Sequence, residues 1–164
     1  MHTKLERPVT KGLISIGVLA AALALATATA GAGRNVPLVG KDTFVAAIVG
    51  GSGSVVQTAD AGAGTATHLG KFRMVASETV DFGSLTVRNG VFTLTAASGD
   101  TLSGTYSGTI QPGLTGYLVS GPITGGTGRF VGATGTIVFK GTFDAATGTG
   151  SYVIAGTISS VGSL

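Results

Sequence analysis

The chain contains no cysteine and no tryptophan. Without thiols there is no disulfide, no thiolate nucleophile and no thiolate metal site, so the fold must hold itself together by packing and hydrogen bonding. Charge is scarce as well, with Asp, Glu, Lys and Arg making up 10% of the residues. Lys4, Arg7 and Lys11 stand ahead of residue 30, which leaves 31–164 with seven cations (Arg34, Lys41, Lys71, Arg73, Arg88, Arg129, Lys140) against six acids. A segment so close to neutral lacks the clustered cations that phosphates require, which argues against nucleic acid as a partner. Histidine is nearly absent too. His68 is the only one after residue 30, no carboxylates cluster near it in sequence, and no Ser stands in G-x-S-x-G. Those gaps argue against a zinc site and a Ser-His-Asp triad. No phosphate loop is present either: in Gly126-Thr127-Gly128-Arg129-Phe130-Val131-Gly132 the third glycine comes one position too late for G-x-G-x-x-G. Neither a metal nor a cofactor is implied.

The first thirty residues read as a helical secretory signal peptide. Lys4, Arg7 and Lys11 form its positive region, Leu13 to Leu25 its uncharged apolar run, and Ala28-Thr29-Ala30 its small-residue cleavage site. The apolar run is shorter than the roughly 20 residues a membrane-crossing helix needs, so no stable membrane span is expected. The organisation is therefore 1–30 signal peptide, 31–40 extended leader and 41–164 a single domain, secreted to the periplasm or the exterior after cleavage near Ala30.

What the chain has in abundance is glycine, 29 of 164 residues. Apolar runs of strand length alternate with Gly-rich turns, and no stretch reads as an amphipathic helix. Strands are predicted at Lys41–Val49, Ser54–Thr58, Thr65–Phe82, Leu85–Arg88, Val91–Ala97, Thr101–Ile110, Gly116–Ile123, Thr136–Phe143 and Gly150–Ser159, with Asp60–Gly64 a turn and Asn89-Gly90 a hairpin turn. Period-2 alternation gives Leu102, Gly104, Tyr106, Gly108 and Ile110 one shared face and Thr or Ser the other. Ile137, Phe139, Gly141 and Phe143 repeat the pattern, as do Tyr152, Ile154, Gly156 and Ile158. Large residues interrupted by glycine suit the inside of a small coiled barrel, with the glycines leaving free space in the lumen. A sandwich or solenoid with glycine at bulges stays open as the alternative.

Gly125-Gly126-Thr127-Gly128, followed by Arg129 and the anchor Phe130, forms a forced turn before the strand Thr136–Phe143. From Thr124 to Gly135 this GGTG-x-F segment resembles the signature of the allene oxide cyclase and dirigent superfamily, in its secreted bacterial branch. That resemblance implies an all-β fold: a single closed, mostly antiparallel, eight-stranded barrel of calycin-like type with an apolar lumen, assembled as a homotrimer. It implies cyclisation in the lumen or guidance of radical coupling, and it transfers no catalytic residue onto this chain.

Candidate lumen residues for a small apolar ligand are Tyr106, Phe139, Phe143 and Tyr152, and the turn residues Gly125, Gly126, Gly128 and Phe130 are structural. The candidates for proton transfer are His68 and Glu78, which alternation places on one face of the Thr65–Phe82 run; the competing reading makes them a rim histidine and a strand-end glutamate. Three functions remain: a binding module for an apolar molecule, an isomerase or cyclase, or a structural protein whose barrel is filled by its own side chains. The leader supplies the first testable outcome. Intact-mass analysis of exported protein should find an N-terminus at Gly31, and retention of Met1 to Ala30 would remove the signal-peptide reading.

Overall fold

A computed structural model describes residues 34–159. The expected signal peptide lies outside the described residues. Eight strands run up and down in chain order: β1 (Asn35–Ser52), β2 (Val55–Ala66), β3 (Gly70–Asp81), β4 (Thr86–Ala96), β5 (Thr101–Ile110), β6 (Gly116–Gly126), β7 (Gly135–Asp144) and β8 (Thr149–Ser159). Each pairs antiparallel with its neighbours in sequence, and β1 closes on β8 to complete a barrel. The alternation that predicted a barrel is thus realised, and the sandwich and solenoid fall away.

Closure depends on a strand longer than the sequence suggested. The segment expected to be a leader as far as Gly40 already belongs to β1, because Asn35 to Val45 pairs with β8 from Ser159 to Thr149. Gly40 to Ser52 meanwhile pairs with β2, with a bulge between Ile48 and Gly50. Pro37 is accommodated by lending its carbonyl, which accepts hydrogen bonds from the Thr67 hydroxyl at 3.0 Å and from His68 Nε2 at 3.2 Å.

Two turn assignments are corrected. Asp60–Gly64 is not a turn but the second half of β2, which continues to Ala66; the chain reverses at Thr67-His68-Leu69 instead. The composition Asp-Ala-Gly-Ala-Gly has the look of a turn, but its glycines serve to bring β2 against β1. A Cβ on Gly64 would strike the Lys41 carbonyl, and one on Gly62 would lie 2.6 Å from that of Thr43. Asn89-Gly90 is likewise not a hairpin turn. It lies inside β4 with Asn89 at φ +56, as a bulge where the register to both β3 and β5 shifts. The true β3–β4 turn is Phe82–Leu85, fastened by Asp81 Oδ1, which accepts from the backbone amides of Gly83 at 2.9 Å and Ser84 at 3.2 Å.

One end of the barrel is closed by apolar side chains. Leu38, Leu94, Leu102, Phe130, Ile137 and Ile158 are all fully buried, with Leu69 and Ala133 nearly so. Phe130 belongs to a single 3-10 turn, Gly128–Phe130, in the β6–β7 connection. Gly128 has φ +57, and Gly125 has φ +144. Gly126 is needed for space, since a Cβ there would meet the Thr101 carbonyl and Phe130 Cβ. The connection is tied to the barrel by Thr127 N–H to Thr101 O at 2.9 Å, and by Ser159 N–H to Thr134 O at 2.7 Å. Arg129 covers the plug: its guanidinium lies 5.0 Å from the Phe130 ring centre and its Nε 3.4 Å from Asp100 Oδ2, without hydrogen-bond alignment. An ion pair this exposed contributes about 0–1 kcal/mol, so burial of Phe130 is the dominant stabilising term of the turn.

Phe130→Ala should therefore destabilise by about 3–5 kcal/mol. Gly128→Val should cost at least about 1–3 kcal/mol through strain at positive φ, with its Cβ also falling on the Asp100 carboxylate. Urea unfolding reads both, and midpoints unchanged from wild type would make the segment an ordinary surface loop.

Candidate functional site

The half of the barrel away from Phe130 is built from aromatic rings. Phe44, Phe92, Tyr106, Tyr117, Phe139, Phe143 and Tyr152 form one connected cluster, with ring centres 4.9–6.4 Å apart and mostly edge to face. They surround a cavity of about 100 Å³ whose wall also includes Phe82 of the β3–β4 turn and Leu114 of the β5–β6 loop. The four lumen residues chosen from alternation, Tyr106, Phe139, Phe143 and Tyr152, all line it.

The inward glycines do not create this space, contrary to expectation. A Cβ on Gly108 would strike the Leu118 carbonyl, one on Gly141 that of Ser151, and one on Gly156 that of Thr136. At Gly104 and Gly90 the rings of Phe92 and Tyr106 occupy the vacant position. Glycine here lets strands coil tightly and lets rings lie flat on the backbone. The small residues on the cavity wall are Ala46, Ala76 and Gly116.

Carboxyl groups enter this aromatic lumen from three adjoining strands. Asp42 on β1 lies directly opposite Tyr152 on β8, and its Oδ2 accepts the Tyr152 hydroxyl proton at 2.7 Å. Glu78 on β3 accepts the Tyr106 hydroxyl at 2.6 Å. Asp60 on β2 sits beside Glu78 and has no hydrogen-bond partner at Oδ1. Thr58, directly opposite Glu78 across β2 and β3, is 8% exposed and its hydroxyl is also unpartnered.

The β4 bulge positions one of these pairs. Glu78 falls where the β3–β4 register shifts, between Ser77 opposite Val91 and Thr79 opposite Arg88, so it faces the extra residues Asn89-Gly90. Gly90 receives the Tyr106 ring, whose hydroxyl reaches Glu78. Bulges re-aim side chains in this way.

Burial governs the electrostatics. Desolvation, then repulsion from Glu78, pushes Asp60 up to about 8, so it holds a proton at neutral pH. Desolvation also raises Asp42, opposed by the hydrogen bond from Tyr152. Burial pushes the Tyr106, Tyr117 and Tyr152 phenols above their ordinary range, with the neighbouring acids adding to the effect. The site is thus an apolar chamber containing one protonated acid and phenols that act only as hydrogen-bond donors or acceptors. No three of the described acids and histidines are grouped so as to hold a metal ion.

His68 and Glu78, expected on one face, lie apart. His68 is exposed in the β2–β3 turn at φ +66, at the end closed by Leu69 and Phe130, whereas Glu78 lines the cavity. The turn at 67–69 divides the run that was expected to hold both on one face. Asp42, Thr58, Asp60 and Tyr117 were not anticipated. Asp42 had a signal, since it alternates with Phe44 and Ala46 on the inward face of β1; Asp60 was hidden by the turn-like composition around it.

No family model, no curated protein and no solved structure matches this chain.

Asp60 makes stability depend on pH. Its folded-state value lies above its unfolded one, so its contribution is full below about pH 4 and is lost as pH rises through about 8. The groups that act on it are Glu78, Tyr106 and Tyr117. Wild type should lose a few kcal/mol between pH 4 and 8, at about 1.4 kcal/mol per pH unit over which the native proton is held. Asp60→Asn should flatten that slope. Equal slopes in denaturant titrations of the two proteins at several pH values would mean Asp60 is not buried with a proton.

Proposed function

We propose that this protein is a secreted barrel that binds a small apolar molecule in its lumen. The observation that carries this reading is the cavity of about 100 Å³ among seven aromatic rings, closed at one end by the Phe130 plug. Ligand sites are commonly concave, mostly apolar and supplied with a few polar groups that fix orientation. The charged leader with its Ala28-Thr29-Ala30 site supports export, and the GGTG-x-F turn on an eight-stranded barrel supports kinship with the allene oxide cyclase and dirigent superfamily. An outward apolar row, Val45 beside Ala61 beside Val75, supports self-association, and the resemblance suggests a trimer.

A second reading, an isomerase or cyclase, is favoured by one specific feature. Asp60 retains a proton at neutral pH next to Glu78 and Tyr106 inside an apolar chamber, which is the environment in which a carboxylic acid serves as a proton donor. His68 has no part in it.

Binding is tested by thermal shift with single-ring hydrophobic compounds. The melting temperature should rise with ligand concentration as expected for a ligand that binds only the native state, and calorimetry should show negative ΔCp. Ala76→Leu, which adds bulk to the cavity wall, should cost about 1–3 kcal/mol and remove the shift. A screen that moves nothing for wild type would leave the barrel a structural protein.

A further inference from the structure

Resting on the lumenal-binding reading, we propose that the cavity selects a small apolar amine, its ring held among the aromatic side chains and its protonated nitrogen received by Thr58, Asp60 and Glu78.

The polar half of the cavity is made of acceptors without a cation. Asp60 and Glu78 line it, Asp42 adjoins it, and no Lys, Arg or His does. Lys41, Lys71, Arg73, Arg88 and Lys140 stand on the same barrel with exposed side chains. Buried acids are ordinarily paired with a cation or a metal. Tyr152 and Tyr106 each satisfy one oxygen, of Asp42 and Glu78. Asp42 Oδ1 is left without a partner beside the cavity, and on the cavity wall so are the Thr58 hydroxyl and, two residues along the same face of β2, Asp60 Oδ1.

Each class of occupant can be weighed against these groups. An anion would meet the Glu78 carboxylate and no cation. A metal ion lacks a suitable ligand set, since no three described acids or histidines come together to hold one. A plain hydrocarbon would fill the ring-lined part and leave Thr58 and Asp60 unsatisfied, a costly arrangement for buried polar atoms. An ammonium group supplies several N–H donors to these acceptors, and the negative faces of the surrounding rings attract a cation. Size allows no more than a single ring, because a cavity of about 150 Å³ is known to hold benzene and this one is about 100 Å³.

Charge balance gives the proposal a distinctive signature. Without ligand, Asp60 carries a proton at neutral pH, raised by desolvation and by Glu78. An entering ammonium takes the place of that proton as the countercharge, so one positive charge enters and up to one proton leaves to solvent. Glu78, Tyr106 and Tyr117 face the same group, and the Tyr106–Glu78 and Tyr152–Asp42 hydrogen bonds are kept.

The test is calorimetry at pH 7 on the exported protein with benzylamine, benzyl alcohol and toluene, in phosphate and in Tris. Benzylamine should bind at least about tenfold more tightly than the two neutral probes, and its observed enthalpy should differ between the buffers, as proton release requires. Asp60→Asn and Glu78→Gln, each checked for a cooperative melt, should bring benzylamine to within about threefold of benzyl alcohol, with toluene as the reference for any general change in lumenal binding. Two variants are used so that the loss of one to unfolding leaves the other to decide. Toluene or benzyl alcohol binding as well as benzylamine would overturn the amine assignment and leave lumenal binding standing. A benzylamine preference that survives in both variants would overturn it too, and absence of binding by all three probes would remove both readings.

Discussion

Closure of the β-ladder between β1 and β8 is the constraint on which the rest of this protein depends. With no disulfide or metal ligand set among the described residues, an open sheet would leave two edges of unpaired amides and carbonyls. The 18-residue β1 removes both edges by bonding β8 along its first part and β2 along its second. Eight strands closed in this way leave an interior about wide enough for side chains or one small ligand. The inward glycines at 104, 108, 141 and 156 make that tight coiling possible, each accepting a neighbouring strand's carbonyl where a Cβ would stand.

The lumen then divides into two unlike halves. Toward Phe130 it is filled by Leu38, Leu94, Leu102, Ile137 and Ile158, fully buried and without a polar atom. Toward the β3–β4 and β5–β6 connections it holds aromatic rings, three acids and a cavity. Buried acids beside one another disfavour folding, as the upward displacement of Asp60 shows, and close packing at the other end offsets that cost.

Alternation made the architecture legible. β5, β7 and β8 carry strict period-2 patterns with no bulge inside the faces that were read, so Tyr106, Phe139, Phe143 and Tyr152 were placed inward from sequence alone and do line the cavity. β2 was misread because Asp60 to Gly64 has turn composition, and strand pairing to β1 on one side and β3 on the other overrides that local preference. Losing the second half of β2 lengthened the next run, and that false continuity is what placed His68 on one face with Glu78. The acids were missed for a related reason: an Asp in a strand reads as an exposed residue unless both neighbouring strands are known.

Asn89-Gly90 shows how a local signal can be chemically correct and topologically misleading. Asn tolerates the left-handed conformation and Gly leaves a vacant side-chain position, properties that serve a two-residue hairpin and a bulge equally. What decides between them is the partner strand, because β4 continues past the pair and stays bonded to β3 and β5. Placed there, the bulge turns Glu78 toward the Tyr106 hydroxyl while Gly90 admits the Tyr106 ring. A straight ladder with a side chain at residue 90 would deny the ring that position, and Glu78 would lose its hydrogen-bond donor beside Asp60. The departure from regular strand geometry therefore lies at the acid site itself, where local rules are expected to yield to function.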